Sequence, residues 1–195
     1  MSHYYSEKND DVKSDIQKIT IRFQNFELPF YTDNGVFCKD YLDFGTRVML
    51  ENAEIYGDRV LDLGCGYGPV GVILGKLNPS LDITMVDINE RAVALAQRNV
   101  LANNVKATVL KSNILEDVSS SFSCILTNPP IRAGKATVFA FYNQSYDHLE
   151  KNGVIYVVIQ KKQGALSSFA YLESKFGNCE VICKEKGYFI LKSVK

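Results

Sequence analysis

The alternation that begins at Arg59 limits this chain more than any other feature. Short apolar runs are separated by longer amphipathic stretches, the pattern of a parallel sheet covered by helices. Strands are expected at 59–63, 82–87, 106–110, 124–127, 154–160, 180–184 and 188–192, and helices at 68–77, 89–103, 135–149 and 164–176. Only Glu185, Lys186 and Gly187 separate the last two strands, too few residues for a helical crossover, so this pair must be antiparallel. The expected core is an α/β fold, a seven-stranded and mostly parallel sheet ending in one antiparallel hairpin.

Ahead of it, Ile19, Ile21 and Phe23 alternate with polar residues, and Phe26, Leu28 and Phe30 do so again, which predicts a β-hairpin turning at Gln24-Asn25. An amphipathic stretch over 40–56, closed by Gly57, reads as a helix. Residues 1–15 lack periodicity and are expected to fray. No repeat, linker or low-complexity segment divides the chain. The expected organisation is one domain, with a flexible start (1–15), a hairpin and helix (16–57) and a cofactor-binding and catalytic core (58–195).

Composition removes several classes of function. There is no run of about eighteen apolar residues and the start lacks a basic-then-apolar layout, so no membrane role and a cytoplasmic location are expected. The five cysteines are scattered without a C-x-x-C pair, which predicts reduced thiols and no metal site. A formal net charge of zero argues against nucleic-acid binding driven by the whole molecule's field. The last 45 residues, from Lys151, nevertheless hold eight lysines against three glutamates, which makes them either a solvated surface or a phosphate-facing patch.

The first core strand runs into Gly64-Cys65-Gly66-Tyr67-Gly68, where a helix opens. Glycines there permit a sharp turn and a close ligand approach, although a tight strand-to-helix turn needs them for steric reasons alone. Asp87 and Ile88 close the second strand, where a carboxylate can accept from both ribose hydroxyls of a nucleoside. Asp62 leads into the loop, and an acid there suits an ammonium group better than a pyrophosphate, favouring S-adenosylmethionine over NAD; the alternative is a loop cap. Asn113, after the third strand, either meets an adenine amino group or starts a turn.

After the fourth strand comes Asn128-Pro129-Pro130-Ile131-Arg132-Ala133-Gly134-Lys135, at the carboxyl end of the sheet. Prolines there fix the backbone direction and are expected to leave carbonyls unpaired and aimed. The Asn128 side-chain oxygen and the Pro129 carbonyl can each accept from an exocyclic amine; a loop stop after a buried strand is the plainer reading. Ile131 cannot stack on a base as Tyr or Phe would, which disfavours adenine N6 as acceptor.

The string DLGCGYG at 62–68 resembles the first motif of class I S-adenosylmethionine-dependent methyltransferases of Rossmann-like fold. More narrowly, NPPIRAGK at 128–135, with Gly35-Val36-Phe37, Asp43-Phe44-Gly45-Thr46 and VIQKKQGA at 158–165, is similar to the small-subunit (16S) ribosomal RNA guanine-N2 methyltransferases. The resemblance covers the chain from about residue 20. It implies methyl transfer from S-adenosyl-L-methionine to guanine N2, with 16S rRNA or the small ribosomal subunit as partner. Asn128, Pro129 and Pro130 would carry the chemistry, and Thr46, Asp62, Gly64, Cys65, Gly66, Gly68, Asp87, Ile88, Asn113 and Asn128 would hold the cofactor. Ile131, Arg132, Lys135 and Lys161 would meet the substrate; Lys135 is otherwise a helix start, Lys161 a solvated surface residue and Thr46 a helix-facing hydroxyl. Many bacterial members have two tandem domains of this fold, so docking by a second domain is expected to be absent here, in a monomer or homodimer. The rival readings are methylation of adenine N6 or a glutamine amide, and a non-catalytic RNA-binding assembly factor.

Overall fold

The computed structural model describes residues 12–195. The hairpin pairs β1 (Gln17–Phe23) with β2 (Phe26–Thr32), with Gln24 in the left-handed region at the turn. Its alternation turns Ile21, Phe23, Leu28 and Phe30 into the core. The other face of the hairpin carries no such set, so only one register buries these four side chains. The outer edge of β2 is paired by a side chain: Asn99 accepts from Tyr31 N at 2.6 Å and donates to Tyr31 O at 2.9 Å, and Asn103 donates to Pro29 O. Pro29 loses nothing on that edge, having no N–H to pair.

The main sheet holds β3 (Arg59–Leu63), β4 (Asp82–Asp87), β5 (Ala107–Lys111), β6 (Phe122–Thr127), β7 (Leu149–Gln160), β8 (Glu180–Glu185) and β9 (Tyr188–Val194). Their spatial order is β5-β4-β3-β6-β7-β9-β8, with β3 to β7 parallel and β9 antiparallel to both its neighbours. The tight turn before β9 has positive φ at both Lys186 and Gly187, the twist that suits a two-residue hairpin. Helices α1 (Phe44–Asn52), α2 (Pro69–Leu77) and α3 (Glu90–Ala102) share one apolar layer with the hairpin. Helices α4 (Lys135–His148) and α5 (Ala165–Phe176) cover the opposite face. Strand order reverses between β3 and β6, so their carboxyl ends form the crevice where open α/β sheets bind ligands.

The structure departs from the expected elements in three places. The 40–56 helix is confined to Phe44–Asn52, because the Asp43 carboxylate caps Thr46 N and Ala53 is extended; residues 33–43 form turns across the crevice instead. Strand β7 starts at Leu149, directly off α4, with Asn152 in the left-handed region close to its start. Of the stretch expected to fray, residues 1–11, with His3, lie outside the described residues, but 12–15 are held. Ser14 Oγ and Asp15 N donate to the Asp33 carboxylate, and Arg91 donates to Val12 O and Asn34 O. No helix among the described residues is long and apolar enough to cross a membrane.

Candidate active site

The glycine loop is pinned from two sides. Thr127 Oγ1 donates to Leu63 O at 2.8 Å, and the N–H groups of Gly64 and Cys65 both donate to Val86 O, at 2.8 and 2.9 Å. Gly64, Gly66 and Gly68 have φ of +75°, +56° and +92°, a region costly for L side chains. The glycines differ in what surrounds them. A Cβ at Gly66 would meet nothing within 4 Å, whereas one at Gly68 would strike Met85 Cε at 2.6 Å. Gly68 therefore seats α2 on the sheet, and Gly66 leaves open space over the loop.

That space belongs to a cavity whose lining includes Asp62, Gly64, Cys65, Gly66 and Asp87. Asp87 spans the loop and the next helix, accepting from Gly66 N at 2.8 Å and Asn89 N at 2.9 Å. The Ile88 N–H also donates to this carboxylate, and three donors on two oxygens leave it acceptor capacity for a ligand. Burial raises its pKa against these backbone hydrogen bonds. Asp62, 3% exposed, accepts from Gly71 N at 3.0 Å, so the cap reading holds while the side chain also lines the cavity. Burial pushes Asp62 up to about 7, with the Asp87 charge adding to the effect. The Cys65 thiol is pushed well up by burial and the two carboxylates, which leaves it no thiolate character.

Three residues expected at this site are not among those lining the cavity. Gly68 lies behind the loop, and Ile88 is half-buried beside Asp87, outside the lining. Asn113 is exposed, and its amide donates to Glu116 Oε1 at 2.9 Å, the turn-starting alternative.

The Asn-Pro-Pro segment lines the same cavity opposite the loop. Of the two prolyl carbonyls expected to be unpaired, that of Pro130 accepts from Ala133 N at 2.9 Å, because the chain tightens into a 3₁₀ turn over Ile131–Ala133. Among the described residues the Pro129 carbonyl has no donor. The Asn128 amide nitrogen donates to Asp43 Oδ2 at 3.2 Å and Thr46 Oγ1 at 3.0 Å. Thr46 is thus 95% covered and engaged with side chains, while still lining the cavity.

A second, open cleft of about 1080 Å³ shares Asn128 and Pro129 with the first. Ile131 and Arg132 line it, facing Tyr41, Gln160 and Tyr188. The rings of Phe37 and Tyr41 on its wall are 42% and 65% exposed. Gln160 Nε2 donates to the Tyr188 hydroxyl at 2.7 Å. Lys135 stays outside the lining, its ammonium 5.1 Å from the Phe139 ring, and Lys161 is exposed beside the β8–β9 turn, donating its N–H to Gly187 O. Asp43, Phe37, Tyr41, Gln160 and Tyr188 were not anticipated as site residues. Asp43 had a local signal, an acid three residues before Thr46 at a helix start, and Phe37 and Gln160 lie in the family-similar stretches 35–37 and 158–165; Tyr41 and Tyr188 converge by tertiary contact from separate elements.

The chain matches the Methyltransferase small domain family over residues 27–192. It is 44% identical to the uncharacterized protein YbxB of Bacillus subtilis, over 99% of this chain and 98% of that protein. It is 33% identical to ribosomal RNA small subunit methyltransferase C of Aeromonas hydrophila, over 82% of this chain and 47% of that protein. With the Vibrio cholerae protein of the same name identity is 29%, over 95% and 55% respectively. The chain thus spans about half the length of these ribosomal RNA methyltransferases. Among solved structures, the Thermus thermophilus 16S rRNA N2 G1207 methyltransferase, in complex with AdoMet and guanosine, superposes with a TM-score of 0.84 at 28% identity, covering 94% of this chain and 51% of that one. With its seven-stranded sheet, its glycine loop and its Asn-Pro-Pro crest, the chain belongs to the Methyltransferase small domain family.

Proposed function

We propose that this protein methylates the exocyclic N2 amine of a guanine in 16S ribosomal RNA. The observation that carries the reading is the pair of acceptors at the junction of the two cavities, the Asn128 carboxamide oxygen and the Pro129 carbonyl, neither of which has a donor among the described residues. The methyl donor is S-adenosylmethionine, which supplies an electrophilic methyl on a sulfonium. The first cavity fits it chemically: it offers three carboxylates, Asp43, Asp62 and Asp87, open space over Gly66 and no basic side chain, which suits a ligand with hydroxyls and an ammonium but no phosphate. Asp87 would hold the ribose hydroxyls and Asp62 the ammonium.

The acceptor base enters by the second cleft. The Asn128 oxygen and Pro129 carbonyl take its two N–H groups, turning the nitrogen lone pair toward the methyl. Methyl transfer would move the sulfonium's positive charge onto the acceptor nitrogen, which would then release an N–H proton to solvent, so aim matters more than a strong base. Ile131 packs on the base without stacking as an aromatic would, while the exposed Phe37 and Tyr41 faces suit neighbouring unstacked bases. Arg132 in the cleft lining, and Lys135 and Lys161 outside it, would meet phosphates of the RNA. The test is transfer of radiolabelled methyl to undermethylated small subunits and to free 16S RNA, followed by nucleoside analysis. Label in N2-methylguanosine is the expected result. Label in another amine moves the substrate to adenine or a glutamine amide, and cofactor binding without label in any of these favours the assembly-factor reading.

A further inference from the structure

Asp43 does more than begin a helix. Its Oδ2 accepts from Thr46 N at 2.8 Å, from Thr46 Oγ1 at 3.2 Å and from Asn128 Nδ2 at 3.2 Å. The single hydroxyl proton of Thr46 is spent on Asp43, so toward Asn128 that hydroxyl acts as an acceptor, at 3.0 Å. Asn128 therefore faces two acceptors, and only its NH2 end can lie against them. Turning the carboxamide over would set its oxygen against a carboxylate and a lone pair, so the network assigns the orientation. The Asn128 oxygen is left on the other side, where no donor among the described residues meets it.

We infer that Asp43 is a positioning residue for methyl transfer, fixing directly and through Thr46 which end of the Asn128 carboxamide faces the acceptor amine. The inference rests on the proposed reaction, because the orientation matters only when the substrate presents N–H groups. A freely turning carboxamide would show its own NH2 to an NH2 for part of the time, donor against donor.

Two substitutions separate this role from helix capping. Asp43→Ser keeps a favoured cap for Thr46 N, but its uncharged oxygen sits one bond nearer the backbone and falls short of Asn128 Nδ2, whereas Asp43→Asn can place an oxygen where Oδ2 stands. For Asp43→Ser, kcat is expected to fall about 10- to 100-fold, with melting temperature and calorimetric affinity for S-adenosylhomocysteine close to wild type; Asp43→Asn recovers most of the loss. In an Asn128→Ala background, Asp43→Ser is expected to add nothing, the non-additivity of residues acting as one unit. An unchanged kcat in Asp43→Ser, or losses that multiply, overturns the inference. A readout independent of turnover is the Asn128 side-chain NH2 resonance, assigned by its disappearance in Asn128→Ala. It should be protected from exchange in the wild type and lose protection in Asp43→Ser; equal protection in both overturns the inference. If the wild type methylates neither RNA, the proposed reaction fails, while this resonance still decides the role of Asp43.

Discussion

Asp62 sets a buried carboxyl where the proposed cofactor brings a cation, and the two demands separate by pH. Its pKa is raised by burial to about 7, from 3.8 in the open chain. An acid raised on folding destabilises the fold as pH climbs. The penalty is absent below pH 3.8, grows between there and about 7, and is complete above. Asp62→Asn keeps an acceptor for Gly71 N–H and removes the charge. Chemical denaturation should find it more stable than wild type at about pH 8, by at most roughly 4 kcal/mol, with the two converging at the acid end. Ligand affinity should show the opposite trend, since an ammonium selects the ionised form. Calorimetric binding of S-adenosylhomocysteine to the wild type should tighten as pH rises toward about 7 and lose that dependence in Asp62→Asn. A flat wild-type profile would remove the ammonium from Asp62. Asn128→Ala, by contrast, should abolish methyl transfer while leaving that affinity intact, and Asp87→Ala should weaken affinity first.

Within one strand-loop-helix unit, two glycines should fail in different ways. A Cβ at Gly71 would lie 2.6 Å from Met85 Sδ, inside the packing of α2 on β4. Gly71→Ala should therefore cost about 1–3 kcal/mol by overpacking. Gly66→Ala meets open space, so its stability cost is limited to the left-handed backbone, about 1–2 kcal/mol, and its larger effect should be lost cofactor affinity. A thermal melt and a binding isotherm on each variant check both; equal affinity in Gly66→Ala and wild type would place the ligand away from the loop. The strand and helix periods were legible over this unit because its apolar runs are bounded by glycine and proline, and β3 and β4 occupy the expected residues. The turns over 40–43 were not, because nothing local distinguishes them from the start of an amphipathic helix. What ends the helical reading is the Asp43 cap, and what fixes the segment is Asp33 and Arg91, far apart in sequence. The site divides the same way: Asp62, Asp87 and Asn128 lie at or just past strand ends and could be read, while Gln160 and Tyr188 reach the cleft that Asn128 lines only through the pairing of β7 and β9.

For the whole molecule, a formal net charge of zero means that attraction to RNA must come from where charges sit. Of the eight lysines after residue 150, Lys175 and Lys192 pair with Asp147 and Glu180 and Lys195 donates to Leu149 O, whereas Lys161 and Lys186 lie by Gly187 and Phe44, near the strand ends that frame the second cleft; acids line the first cavity. The two ligands should therefore respond differently to salt. Each phosphate held by a cation adds about one to the slope of log affinity against log salt, whereas S-adenosylhomocysteine carries no phosphate and should bind nearly independently of salt. Binding of a 16S fragment is expected to weaken as salt is raised, and Arg132→Gln and Lys161→Gln should each lower that slope by about one. Arg132 and Lys161 stand at different distances from the proposed reacting amine, Arg132 inside the cleft lining and Lys161 outside it. Turnover on a saturating fragment should then be nearly unchanged in Lys161→Gln, its loss appearing in KM. Arg132, which lines the cleft beside Asn128, should lose kcat as well. Salt slopes unchanged in both variants would move the RNA path to another face of the molecule, even with the catalytic crest intact.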